Sequence, residues 1–191
     1  MKFFTALAAL TLASTALVGC GATPSAEPPA KASTLTDAKP KPGAPEWIYS
    51  SHVDSATGRQ VKTGRLVSRN SMDFDFPYNG IQFGSFVLRK HPRHGVDAFL
   101  SIKKGQLLCD SYTNQSVLIR FDNSSAIPYT CGKSTDYSSD IVFIEDVGQL
   151  IGRMKRAKTM YLTATVYGEG SRTWQFKVEG FTTKDFNKSK S

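Results

Sequence analysis

The densest gathering of reactive side-chain types is the stretch LRKHPRHG, where Arg89, Lys90, His91, Arg93 and His94 surround Pro92. Guanidinium and ammonium groups at this density can fork onto phosphate or carboxylate oxygens, which makes Arg89, Lys90 and Arg93 a candidate anion-contact surface. A solvated loop between two strands accounts for the same residues, and loops held by a rigid sheet often carry binding groups. His91 and His94 form an HxxH pair, and His52 is the only other histidine. On a loop that pair has no fixed geometry, and the flanking cations oppose a divalent ion, so no metal and no cofactor is expected. Asp73 and Asp75 alternate with aromatic residues and read as a solvated strand face rather than as two carboxyls across a cleft. The segment CGKS, Cys131 to Ser134, is similar to the end of a phosphate loop but lacks the upstream glycine and the flanking strand and helix. No GxSxG occurs, so the serines, Asp110, Asp122 and the three histidines mark no nucleophile. The expectation is a protein that is not an enzyme.

The three cysteines are of two kinds. Cys20 follows a charged start, Met1-Lys2, and an uncharged apolar run from Phe3 to Val18 that is too short to span a bilayer and fits a secretory signal. Leu17-Val18-Gly19-Cys20 resembles the lipobox of bacterial lipoproteins. The resemblance implies a signal peptide over 1–19, cleavage before Cys20, a diacylglyceryl group on its thiol and an acyl chain on the new amine. Several chains, at about 0.8 kcal/mol per buried methylene, hold a protein on a membrane stably. Gly21, in place of the Asp that retains such proteins at the inner membrane, implies the outer membrane, facing the periplasm. With Cys20 assigned to lipid, Cys109 and Cys131 are an even remainder in an oxidising compartment, which points to one disulfide. Closing that loop would stabilise the domain by about 3 kcal/mol in the chain-entropy model. No CxxC accompanies them, so neither a redox motif nor a zinc site is expected.

Residues 21–45 hold six prolines and almost no large apolar side chain. Such a stretch cannot offset its chain entropy by burial, so 20–45 reads as the lipidated cysteine and a disordered, extended tether. The remaining chain divides into a domain over 46–184, large enough for a real core, and a polar tail over 185–191. The formal charge is +8, including Lys2 of the signal peptide. An exported basic protein meets lipid headgroups, lipopolysaccharide phosphates and peptidoglycan carboxylates, so nucleic acid is not an expected partner.

The elements that must position these groups alternate with period two and turn often, the pattern of an antiparallel β protein. WIYSSHV and GRLVSRN read as the first two strands. MDFDFPYNGIQFGSFVLR reads as a hairpin with Phe74 and Phe76 on one face and a type I′ turn at Asn79-Gly80. VDAFLSIKKGQLLCD reads as a second hairpin, turning at Lys104-Gly105. SVLIRFD and AIPYTCG follow, then DIVFI, apolar on both faces and central. MYLTATVY and TWQFKVEGF flank Gly168-Glu169-Gly170 as a closing hairpin, with Tyr161, Thr163, Thr165 and Tyr167 on one face. One segment breaks the period: in EDVGQLIGRMKRAK, Val147, Leu150, Ile151, Met154 and Ala157 form a helical stripe. Asp146 and Gln149 can form a capping box there, and Arg153, Lys155, Arg156 and Lys158 load the last turns. The expected fold is all-β, mainly an antiparallel β-sandwich of about ten strands in two sheets, with one amphipathic helix in the C-terminal half.

The order of an LR strand, a later IRFD strand, a helix ending in Ala-Lys and a final F-x-x-x-G-F strand resembles VasI-like exported proteins associated with type VI secretion. The resemblance implies an accessory role in the envelope and brings no catalytic residues. The reading is a lipid-anchored, non-enzymatic module that binds another envelope component, as an inhibitor, immunity protein or secretion accessory. An envelope hydrolase acting on cell wall or esters, and a structural peptidoglycan- or lipopolysaccharide-binding module, are the alternatives.

Overall fold

A computed structural model describes residues 47–109 and 116–187. The lipobox, Cys20 and the tether lie outside the described residues. Among the described residues ten strands and two helices follow one another: β1 (Ile48–Val53), β2 (Gln60–Phe74), β3 (Gly80–His91), β4 (Gly95–Ser101), β5 (Leu107–Leu108), β6 (Ser116–Phe121), β7 (Ile127–Lys133), β8 (Ile141–Ile144), α1 (Val147–Met154), β9 (Thr159–Val166), β10 (Gly170–Lys177) and α2 (Thr183–Asn187). Every ladder is antiparallel, as the alternating pattern predicts. The order is β1-β2-β3-β4-β8-β7-β6-β9-β10, with β5 added on β9. The all-β, sandwich-like architecture is as expected, with the two layers joined because β7 pairs with β8 on one side and β6 on the other.

Curvature brings the far strand, β10, back against β2. There the ladder is replaced by a side chain. Asn70 lies in the register shift between Val67 and Ser71, donates Nδ2 to Thr173 O at 2.9 Å and accepts Gln175 N–H on Oδ1 at 2.8 Å. The carboxamide therefore stands in for a peptide group of the missing strand. The irregular turn of chain is held by Ser68, whose hydroxyl donates to Asn70 O and accepts Gly84 N–H. A bulge of this kind is what bends a strand hard enough for a sheet to curl.

The core lies inside the curl. Leu66, Phe86, Leu88, Leu100, Ile119, Leu162, Trp174 and Phe176 are fully buried, and α1 adds Leu150 and Met154 at one end. Trp47 closes the side near the C-terminus: its indole donates to Val178 O at 3.2 Å and its ring packs 5.0 Å from Phe181. The disulfide expected from cysteine parity is present, with Cys109 and Cys131 Sγ atoms 2.09 Å apart.

Several local expectations are corrected. β2 and β3 are joined by a five-residue loop rather than a two-residue turn, since Phe74 pairs with Gly80. The N–H of Asp75 is taken by Glu169 Oε1 at 2.8 Å, Pro77 has none to give, and the loop closes by Tyr78 N–H on Asp75 O. Phe76 consequently leaves the buried face and is 86% exposed. Lys104-Gly105 turns the chain, but β4 and β5 do not pair. β4 joins β8 while β5 joins β9, and the chain between them is held by Ile102 and Leu107 N–H on Asp140 O and Ser139 O. Asp146 does precede α1 but makes no capping bond: at φ 54°, ψ 42° it is left-handed, whereas a capping side chain needs an extended backbone. At the C-terminal side, α2 spans position 184 and Phe186 is buried with its ring 6.3 Å from that of Phe181. The closing hairpin has the expected form, with Gly168 and Gly170 at φ 76° and 69° on either side of Glu169.

Candidate functional site: a cationic end of the sheet

Of the three cations expected to contact anions, Arg89 is already occupied. On β3 it faces Asp97 of β4 in register, and its guanidinium bonds the carboxylate through Nε at 3.0 and 3.1 Å and Nη2 at 2.7 Å. The same group lies 5.5 and 5.8 Å from the rings of Phe99 and Phe143. A bidentate pair backed by two aromatic faces is a structural use of arginine. Lys90 is exposed at the strand end and stands in register with Lys62 of β2. Arg93 is half-exposed, with Nε 3.5 Å from Asp54 Oδ2.

Asp54 and the histidines complete this corner. The Thr57 hydroxyl, 2.7 Å away, holds the Asp54 carboxyl below its ordinary range, helped by the Ala56 N–H and the Arg93 charge. His91 and His94 lie with ring centres 4.6 Å apart. Partial burial holds the His91 imidazole below its usual value, with the charges of His94, Arg89 and Arg93 acting the same way and Asp54 opposing. At neutral pH the His91 ring therefore adds little positive charge beside Arg93. Among the described residues no three His, Cys, Asp or Glu side chains gather as metal ligands.

The second basic cluster joins the first through topology. β3 runs into the 92–94 turn, the hairpin of β1 and β2 turns at 54–59, and β8 runs into α1, all at the same end of the sheet. α1 packs on β4, which begins at that turn. Arg153 is drawn inward, where its charge acts on the buried Tyr129 hydroxyl. Lys155, Arg156 and Lys158 are exposed and make no side-chain bond among the described residues. Their backbone is pinned: the Asp122 carboxylate accepts Lys158 N–H at 3.1 Å and Thr159 N–H at 2.8 Å. The carboxylates Asp54, Asp97 and Asp122 are each spent on internal partners, while Glu145 and Asp146, between β8 and α1, are exposed at the same end.

Sequence reasoning grouped Arg89 with its neighbours and missed Arg59 and Lys62, which enter this end through the neighbouring hairpin. No local signal marks them. Arg89 and Asp97 are eight residues apart, and their pairing was in principle readable from a hairpin register. Tyr161, Thr163 and Thr165 are half-buried along one face of β9. Tyr161 stacks under Arg120 at 3.8 Å and Thr163 bonds Thr173, while Tyr167 is exposed. Asp73 is exposed, Asp75 lies in the 75–79 loop, and neither faces a second carboxylate across a cleft.

No family model matches this chain, and no curated protein matches it. Among solved structures it is similar to the crystal structure of invasion associated protein B from Bartonella henselae, at 14% identity over 72% of this chain and 87% of that one, with a TM-score of 0.43. A likeness at that level carries no argument about what the chain does.

Proposed function

We propose that this chain is a lipid-anchored, non-enzymatic module of the bacterial cell envelope that binds an anionic envelope component through the cationic end of its sheet. The observation that carries the reading is the gathering of two separate basic segments, 90–94 and 155–158, at one end, where Asp54 and Asp122 are turned to internal partners. The lipobox resemblance supplies the anchor at Cys20, and the Pro-rich tether supplies the reach to a ligand away from the bilayer. Exposed cations of this kind attract polyanions additively and weakly, each contributing about 0.2–1 kcal/mol.

Sedimentation with purified peptidoglycan sacculi tests it, because sacculi tolerate the mild detergent that keeps an acylated full chain in solution. The chain should pellet at low salt and be released at high salt, as exposed charge pairs are screened. Lys155→Glu with Arg156→Glu should weaken pelleting by roughly tenfold. No pelleting, or pelleting indifferent to both salt and charge reversal, overturns the reading. In cells fed a labelled fatty acid, the chain should take up label and the Cys20→Ser variant should not; an unlabelled parent chain removes the anchor from the proposal.

A further inference from the structure

At the opposite end of the sheet a cleft of about 470 Å3 opens between the β5 segment and the chain leaving β7. That volume falls within the range of small-molecule sites. One wall is Gln106 and Leu107, and the other runs from Lys133 through Ser134 and Tyr137 to Ser138. The walls are fixed to each other twice. Leu107 N–H donates to Ser139 O at 2.7 Å, and the Cys109–Cys131 bridge ties the end of the first wall to the start of the second.

The second wall is built to present a ring. Tyr137 has φ 61°, a conformation that a bulky residue adopts only where its surroundings impose it, and it is 93% exposed. Its neighbours impose it. Asp136 is held below its ordinary carboxyl range by the Ser134 hydroxyl and by Ser138 N–H at 3.0 Å, and the Ser138 hydroxyl bonds the Asp140 carboxylate. Tyr137 N–H donates to Ser134 O at 3.2 Å. Both acids of the loop are thus turned to its own donors, and no packing in the fold uses the tyrosine ring. Beside it, Lys133 is exposed and forms no ion pair among the described residues. The cleft offers an aromatic platform, one cation, the Gln106 amide, which both donates and accepts, and the Ser134 and Ser138 hydroxyls as acceptors.

We propose that this cleft binds a sugar unit carrying a carboxylate, with the Tyr137 ring under the apolar face of the sugar and Lys133 on the acid. An aromatic face suits a ring whose axial C–H bonds form an apolar side, and paired hydroxyl and amide groups suit its equatorial hydroxyls. The ammonium distinguishes an acidic sugar from its neutral counterpart. This site is separate from the cationic end, and its occupant is a single sugar residue rather than a polyanion.

Ligand-observed NMR titration of the full chain in micelles tests it with two probes that differ by one lactyl carboxylate, N-acetylmuramic acid and N-acetylglucosamine. Both should receive saturation from the protein, and the acidic sugar should bind about fivefold more tightly. Tyr137→Ala should weaken both by roughly tenfold, and Lys133→Gln should erase the preference while leaving the neutral sugar unchanged. Both side chains are exposed, so neither variant threatens the fold, and a circular dichroism spectrum checks this. No saturation of either sugar, or binding unchanged in Tyr137→Ala, overturns the proposal; equal affinity for the two sugars, or a preference that survives Lys133→Gln, overturns its acidic part. Lys155→Glu with Arg156→Glu should leave sugar binding unchanged, so this site and the cationic end can fail independently.

Discussion

Gly84 shows how a residue with no side chain can carry a packing constraint. It sits mid-strand in β3, where glycine weakens a sheet unless another group needs the space. Trp174 needs it: a Cβ at position 84 would lie 2.7 and 2.8 Å from the indole Cδ1 and Cγ. The ring is fully buried in the core and cannot move aside. Gly84→Ala should therefore cost about 1–3 kcal/mol, an overpacking penalty, read as a lowered midpoint of urea unfolding without a change in slope. A midpoint equal to that of the parent chain would show that the ring is less tightly held than these distances imply. Gly80, by contrast, meets nothing within 4 Å and is kept by its φ of 108°.

Among the elements, the closure of β10 on β2 rests on Asn70. Replacing it with Ala removes two hydrogen bonds and leaves Thr173 C=O and Gln175 N–H of β10 facing β2 with no partner there. The expected loss is about 1–3 kcal/mol, and hydrogen exchange at Gln175 should accelerate well before exchange in β4 or β8. Uniform acceleration across all strands would mean that Asn70 supports the fold globally rather than at the seam. Asp146 teaches a different lesson about elements. The capping pattern of EDVGQ is correct in spacing, yet the chain leaves β8 in a direction that sets Asp146 left-handed, and the side chain cannot reach the helix N–H groups. A helix can be recognised from its apolar stripe while the way it starts is set by the strand before it.

For the whole molecule, the disulfide is the covalent tie between β5 and β7, which belong to different parts of the curled sheet. Its loop of 22 residues predicts a loss of about 3 kcal/mol on reduction. Urea unfolding with and without a reductant measures it, and coincident curves would show that the sheet alone suffices. The molecule is also polar in character from end to end. The 54–59 and 92–94 turns and the chain after α1 gather cations at one end, while the 75–79, 134–140 and 167–169 segments carry Phe76, Tyr137 and Tyr167 at the other. That separation allows two sites of different chemistry to be tested by substitutions that do not touch each other.

Alternation of apolar and polar residues determined the antiparallel all-β class, the 3.6-residue stripe determined α1, and the parity of the cysteines determined the Cys109–Cys131 bridge. These follow from local geometry or from counting, so they are legible before any fold is known. Tertiary structure alone decided that β5 joins β9, that Asn70 closes β10 onto β2, that Arg89 is consumed by Asp97 while Lys155 and Arg156 are left exposed, and that a cleft opens beside Tyr137. The reason is physical: the free edge of a strand and the charge on a side chain are satisfied by whichever group the fold brings within about 3 Å, and that group is chosen by distant parts of the chain.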